Sequence, residues 1–210
     1  MQLTGYKHTK NQVSFGSYRF FPIVVKDMNN RHVKAWFSQL NFSDPVDAAA
    51  MKKVKELWVK HYINKNEISF INYPYYDLKE YIYKEFETRK SVFAIELDSD
   101  KNLFDKLLCL ASAHKEKDTF KLDYIMASPN SFFGTGEKKE YKGVGTALMC
   151  GLVKIAKLGG AKSFELYPVV DDFYTRLGME KINDYMTFNR IEMIAFLERQ
   201  KSKFNAFSKK

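Results

Sequence analysis

Two cysteines, five prolines and ten glycines are few for a chain of 210 residues. Cys109 and Cys150 both lie in apolar stretches, which excludes a disulfide framework and fits buried thiols in a reducing compartment. No apolar run approaches the ~20 residues that cross a bilayer. The stretch Met1–Lys7 also lacks the apolar segment of a secretion signal, so a cytoplasmic protein without a membrane partner is expected. No run of five like charges forms a polybasic arm, and no Cys/His cluster has metal-ligand spacing. Internal repeats and low-complexity linkers are missing too.

What is present suits one well-packed domain. Hydrophobic residues make up 45% of the chain, enough for a core. The formal charge of +9, from 34 Lys+Arg against 25 Asp+Glu, favours anionic partners or simply a lysine-rich surface. With 13 Tyr and 18 Phe a stacking surface for nucleic acid is conceivable, but no nucleic-acid motif accompanies them and the core needs most of these rings. Nucleic acid is not expected as a partner.

The pattern predicts a strand over 18–26, with Pro22 tolerable only at an edge or bulge. Asp44 and Pro45 read as cap and first position of a helix over 45–63, with Val46, Ala50, Val54, Leu57, Trp58 and His61 on one face. A weaker helix covers 75–89. Three β-rich runs, 91–97, 106–112 and 119–127, are divided by polar turns at 98–102 and 115–118, as in an antiparallel meander. A loop over 128–139 leads to a helix over 143–158, with Val144, Leu148, Leu152 and Ile155 inward and Gly159-Gly160 ending it. A strand at 163–167, a short helix at 170–177, a strand or hairpin at 179–188 and a helical tail at 190–207 complete the chain. The expected class is α+β with a mixed sheet, neither doubly wound nor a helical bundle. The expected organisation is an extension over 1–17, a domain over 18–188 and a basic C-terminal helix over 189–210.

Glu140-Tyr141-Lys142-Gly143-Val144-Gly145-Thr146 opens the central helix with two glycines. A helix N-terminus offers free amides and a positive dipole end, and glycine clears side chains from them, so the segment suits a phosphate. Gly134-Thr135-Gly136 lacks the Gly-Lys-Ser/Thr ending of a P-loop. The long loop before Gly143 and the missing third glycine spoil a dinucleotide fingerprint.

Here the chain resembles the GNAT superfamily of acyl-CoA-dependent N-acyltransferases. Gly143 and Gly145 match that family's Gln/Arg-x-x-Gly-x-Gly/Ala fingerprint, with Glu140 departing from it at the Gln/Arg position. Leu122–Pro129 is similar to the family's fourth strand and following loop. Phe173-Tyr174, three residues, then Gly178 and Met179 is similar to its second signature. The resemblance covers 120–188 by motif and 18–115 by element order. It implies a GNAT-like mixed, mostly antiparallel twisted sheet flanked by helices.

The resemblance also implies acetyl-CoA as acyl donor, a primary amine as acceptor and direct attack in a ternary complex, without a metal. The amides of Lys142, Gly143, Val144, Gly145 and Thr146 would hold the pyrophosphate, with charge from Lys139 and Lys142. Tyr124, Ile125, Met126 and Ala127 would offer backbone to the pantetheine arm, and the amide of Ile125 or Met126 could face the oxyanion. Tyr174 would be the general acid for the leaving thiolate. Glu96, Asp123 and Glu165 are the candidate bases; His61 reads as a core residue, and His114, ending a strand beside Lys115 and Glu116, is the lesser candidate. A monomer or homodimer is expected. The alternative is a non-catalytic CoA-binding or regulatory protein on the same scaffold.

Overall fold

The computed structural model describes residues 18–40, 52, 56, 91–99, 106–128, 140–168 and 171–205. The helices expected over 45–63 and 75–89 lie outside the described residues, apart from helical Lys52 and Glu56. So do the 1–17 extension, nearly all of the 128–139 loop, and His8 and His61.

The chain begins with strands β1 (Tyr18–Asp27) and β2 (His32–Leu40), then β3 (Val92–Leu97), β4 (Leu107–Glu116) and β5 (Thr119–Ala127). Next come β6 (Tyr141–Lys142), helix α1 (Val144–Leu158), β7 (Ser163–Leu166) and α2 (Asp171–Leu177). The hairpin β8 (Glu180–Ile182) and β9 (Tyr185–Asn189) precedes α3 (Arg190–Arg199) and the short α4 (Ser202–Asn205). Among the described residues nine strands form one sheet in the order β6-β1-β2-β3-β4-β5-β7-β9-β8, antiparallel except for β5 against β7. The expected mixed, mostly antiparallel α+β architecture is the one found.

Strand β2 was not foreseen. It is closed onto β1 by a turn in which the Asp27 carboxylate accepts the amides of Asn29 and Arg31, with Asn30 in the left-handed region at φ 61°. The Arg31 guanidinium beside Asp27 holds that carboxyl below its ordinary range, although burial opposes it. Pro22 sits next to a register shift in β1, where a missing N–H is tolerable.

One face of the sheet carries a row of rings. Phe21 stacks on Phe37 (5.2 Å), Phe37 on Phe93 (5.5 Å), Phe93 meets Phe120 (6.4 Å), and Phe120 stacks on Phe164 (5.7 Å). The Phe93–Phe120 contact passes over β4, which offers the small side chains of Ala111 and Ala113 there. Helix α1 lies on that row, and Gly151 is the point of closest approach: a Cβ there would fall 2.1 Å from Phe37 Cδ2. Glycine in mid-helix costs about 1 kcal/mol against alanine, yet only glycine lets the helix sink onto the rings.

Residues 147–153 of α1 are all buried, a wider buried surface than the single inward stripe expected, and Ile155 is only half-buried. The reason is α3, which covers the opposite side of α1 with Met193 and Phe196 buried. Asn189 starts α3 with a capping box, accepting the amides of Ile191 and Glu192 while Glu192 accepts the Asn189 amide. Arg199 then donates to the Leu177 carbonyl, tying the end of α2 to the C-terminal segment. Phe204 of α4 packs edge-on against Phe21 at 5.6 Å, and the Lys154 ammonium sits 4.0 Å from the centroid of Phe21 and 4.5 Å from that of Phe204.

Candidate functional site

The parallel ladder between β5 and β7 runs from Thr119↔Ser163 to Leu122↔Leu166 and stops. Strand β5 continues to Ala127 alongside β4, and the Ser128 amide still donates to the Leu108 carbonyl at 2.8 Å. It is β7 that departs, at Tyr167-Pro168. The ladder ends at a bulge: Ser112 pairs with Tyr124 and Ala113 with Leu122, so Asp123 is the extra residue that bends β5.

Helix α1 begins with Gly143 in the left-handed region (φ +74°), and its first turn closes with the Ala147 amide donating to the Gly143 carbonyl at 2.9 Å. The amides of Val144, Gly145 and Thr146 precede any intrahelical acceptor. No side chain caps them and no acid lies in the first turn. The two glycines serve different purposes. At Gly143 a side chain would be strained by the backbone and would meet Lys203 Nζ at 3.0 Å; at Gly145 a Cβ would meet Phe173 Cζ at 3.2 Å.

Lys203 escaped the sequence reading because it lies in the tail, beyond either motif. Burial lowers its pKa, and Lys26 adds to the lowering, while Cys150 opposes it. Among the described residues no carboxylate pairs with it, so a half-buried ammonium stands at the positive end of α1. Lys142 behaves otherwise: its ammonium donates to the Asn30 side chain (3.2 Å) and the Met28 carbonyl (3.4 Å), across the β1–β2 turn. Glu140 is exposed, and Lys139 lies outside the described residues.

Phe173 and Tyr174 follow Asp171-Asp172 in α2, their rings edge to face at 5.0 Å. Tyr174 is 6% exposed, and burial pushes its phenol up to about 12, so it stays protonated at neutral pH. The three candidate bases do not converge. Glu96 is 1% exposed on β3, opposite Trp36 and two strands from β5. Glu165 lies on β7 opposite Lys121, whose ammonium also bonds Glu116. Asp123 alone stands where the ladder ends, and its Oδ2 lies 2.6 Å from His114 Nδ1. Tyr124, Ile125 and Ala127 are half-buried along the continuation of β5, with Met126 buried.

Cys150 is buried in α1, and burial pushes its thiol up to about 12, which leaves no nucleophilic thiolate. Among the described residues no cluster of His, Cys, Asp and Glu could hold a metal ion, and no helix is long and apolar enough to cross a membrane.

A sheet whose one parallel pair diverges beside a glycine-opened helix is the GNAT-like fold that the motifs imply. No protein-family model and no curated protein matches the chain. Among solved structures it is similar to a GNAT family acetyltransferase from Brucella melitensis in complex with acetyl-CoA, at 15% identity over 74% of this chain and 88% of that one, TM-score 0.47. It is also similar to the PaiA N-acetyltransferase from Thermoplasma acidophilum in complex with coenzyme A, at 16% identity over 74% of this chain and 98% of that one, TM-score 0.43. Likeness at this level does not bear on what the chain does.

Proposed function

We propose that the chain is an acyl-CoA-dependent N-acyltransferase that moves an acetyl group from acetyl-CoA to a primary amine by direct attack in a ternary complex. One observation carries the reading: Phe173 rests on Gly145, so the helix bearing Tyr174 is held against the uncapped first turn of α1. Uncapped amides and a phenol that is protonated at neutral pH thereby lie on two helices in contact. The amides of Val144, Gly145 and Thr146 suit the pyrophosphate of CoA, and Lys203 adds a charge-assisted donor beside them. The backbone of 124–127 suits an extended amide-bearing arm, laid along β5 like an added strand. An amide of that segment, Ile125 or Met126, faces the oxyanion of the tetrahedral intermediate.

In the reaction the amine nitrogen bonds the thioester carbonyl carbon and the C–S bond breaks. The Tyr174 phenol gives its proton to the departing thiolate, a role for which a raised pKa keeps it loaded. Calorimetry with acetyl-CoA and CoA, followed by thiol release with a panel of primary amines, tests the proposal. Tight acetyl-CoA binding with turnover reduced about 10²-fold or more in Tyr174→Phe supports it. Binding without turnover on any amine, indifferent to Tyr174→Phe, would instead mark a CoA-binding protein.

A further inference from the structure

We propose that His114 is the group that takes the acceptor amine's proton and that Asp123 is its positioning residue, an assignment that rests on the N-acyltransferase reading above. Asp123 is the bulge residue at the first position beyond the β5–β7 ladder, and His114 is the last half-buried residue of β4 before its exposed end. Asp123 thus stands at the end of the ladder, and His114, whose strand partner Lys121 is still paired within it, reaches Asp123 beside the bulge.

A carboxylate only accepts hydrogen bonds, so the Nδ1–H of His114 donates to Asp123 Oδ2 at 2.6 Å, and the neutral ring then carries its lone pair on Nε2. Asp123 is 14% exposed and holds the ring, whereas the imidazole is 37% exposed and open to an incoming amine. On β4 the alternate residues Ala111 and Ala113 face the packed side under α1, so Ser112 and His114 face the other side of the sheet. Helix α1 closes the first side with buried apolar residues. Ser112 and Leu110 are buried on that other side as well, and His114, at the end of the strand, is the group there that an acceptor amine can reach.

The competing carboxylates are poorly placed for the task. Glu96 is two strands away and almost fully buried. Glu165 lies opposite Lys121 within the β5–β7 ladder, before the two strands part. Among the described residues, Glu116, Lys115 and Lys121 are the other charged groups near the imidazole, and the first and last form an ion pair with each other.

The amine nitrogen attacks the carbonyl carbon, and its surplus proton passes to His114 Nε2. The C–S bond then breaks, and the thiolate takes the Tyr174 proton. Solvent returns the proton from His114 to the phenolate, leaving amide and free thiol as the only products.

The test uses the full chain with acetyl-CoA as donor and spermidine, a lysine-bearing peptide and a peptide with a free N-terminal amine as acceptors, read by thiol release. His114→Ala is expected to lower kcat about 10²-fold, with the acetyl-CoA Kd within about twofold of wild type and part of the rate restored by added imidazole. His114→Gln keeps a donor toward Asp123 and is expected to retain the wild-type melting temperature while losing kcat to the same degree. Asp123→Asn is expected to lower kcat about tenfold, and Asp123→Glu to recover part of it. Wild-type kcat in both His114 variants, on an acceptor that the wild type acetylates, would overturn the assignment and leave the acyltransferase reading intact. Acetyl-CoA binding with no thiol release on all three acceptors would overturn both.

Discussion

The Phe173 ring lies over Gly145 so closely that a Cβ on that glycine would stand 3.2 Å from the ring's Cζ. The contact joins the two sequence signatures, which are separated by α1 and β7 along the chain. It also sets how far the first turn of α1 stands from Tyr174. Gly145→Val would push Phe173 aside and with it the start of α2. We expect both acetyl-CoA affinity and kcat to fall, each about tenfold, with a melting temperature lowered only slightly. Unchanged binding and turnover would show that α2 tolerates the displacement.

Gly151 offers a stability test remote from the chemistry. Its missing Cβ is filled by Phe37, a fully buried ring held between Phe21 and Phe93, so Gly151→Ala forces a clash at 2.1 Å that the stack cannot easily relieve. Overpacking of this kind costs about 1–3 kcal/mol or more and exceeds the ~1 kcal/mol that alanine gains in helix propensity. Thermal unfolding should therefore shift down by several degrees, and a rise would mean that the ring row slides.

Lys203 should matter to the donor and not to the fold. Lys203→Ala removes a half-buried cation whose pKa is lowered chiefly by burial, next to Gly143 and with no acid beside it among the described residues. We expect weaker acetyl-CoA binding, about tenfold, with a shallower dependence on salt and an equal or higher melting temperature. Calorimetry at low and moderate salt decides it. An affinity that does not change would place the ammonium away from the phosphates.

Alkaline pH should unfold the chain early. Burial pushes the thiols of Cys109 and Cys150 up to about 12 from an ordinary value of 9.0, and the Tyr174 phenol up to about 12 from 10.0. All three groups are neutral when buried, whereas the unfolded chain ionises them earlier. Their contribution is thus fully present below the unfolded values and is lost as pH rises from about 9 toward 12, by up to about 1.4 kcal/mol per pH unit for each group. Melting curves from pH 8 to 11 should show the decline, and Cys109→Ala should flatten it. A flat profile in the wild type would show that these groups ionise without unfolding.

Residue order alone determined much of this protein. Local signals sufficed for the meander, for the glycine-opened helix and for the Phe173-Tyr174 helix, because each rests on short-range periodicity and backbone chemistry. The α+β class follows from the order of those elements. The Phe-Tyr signature and the paired glycines could each be read singly. Only the tertiary structure decided that they touch. It also decided that Lys203 comes from the tail to the start of α1, that Gly151 is where helix and sheet meet, and that Asp123 is spoken for by His114. Each of these depends on distances between residues far apart in the chain or across a bulge, and such distances are set by packing once the rings of Phe21, Phe37, Phe93, Phe120 and Phe164 find one face. Spacing along the backbone carries no measure of them.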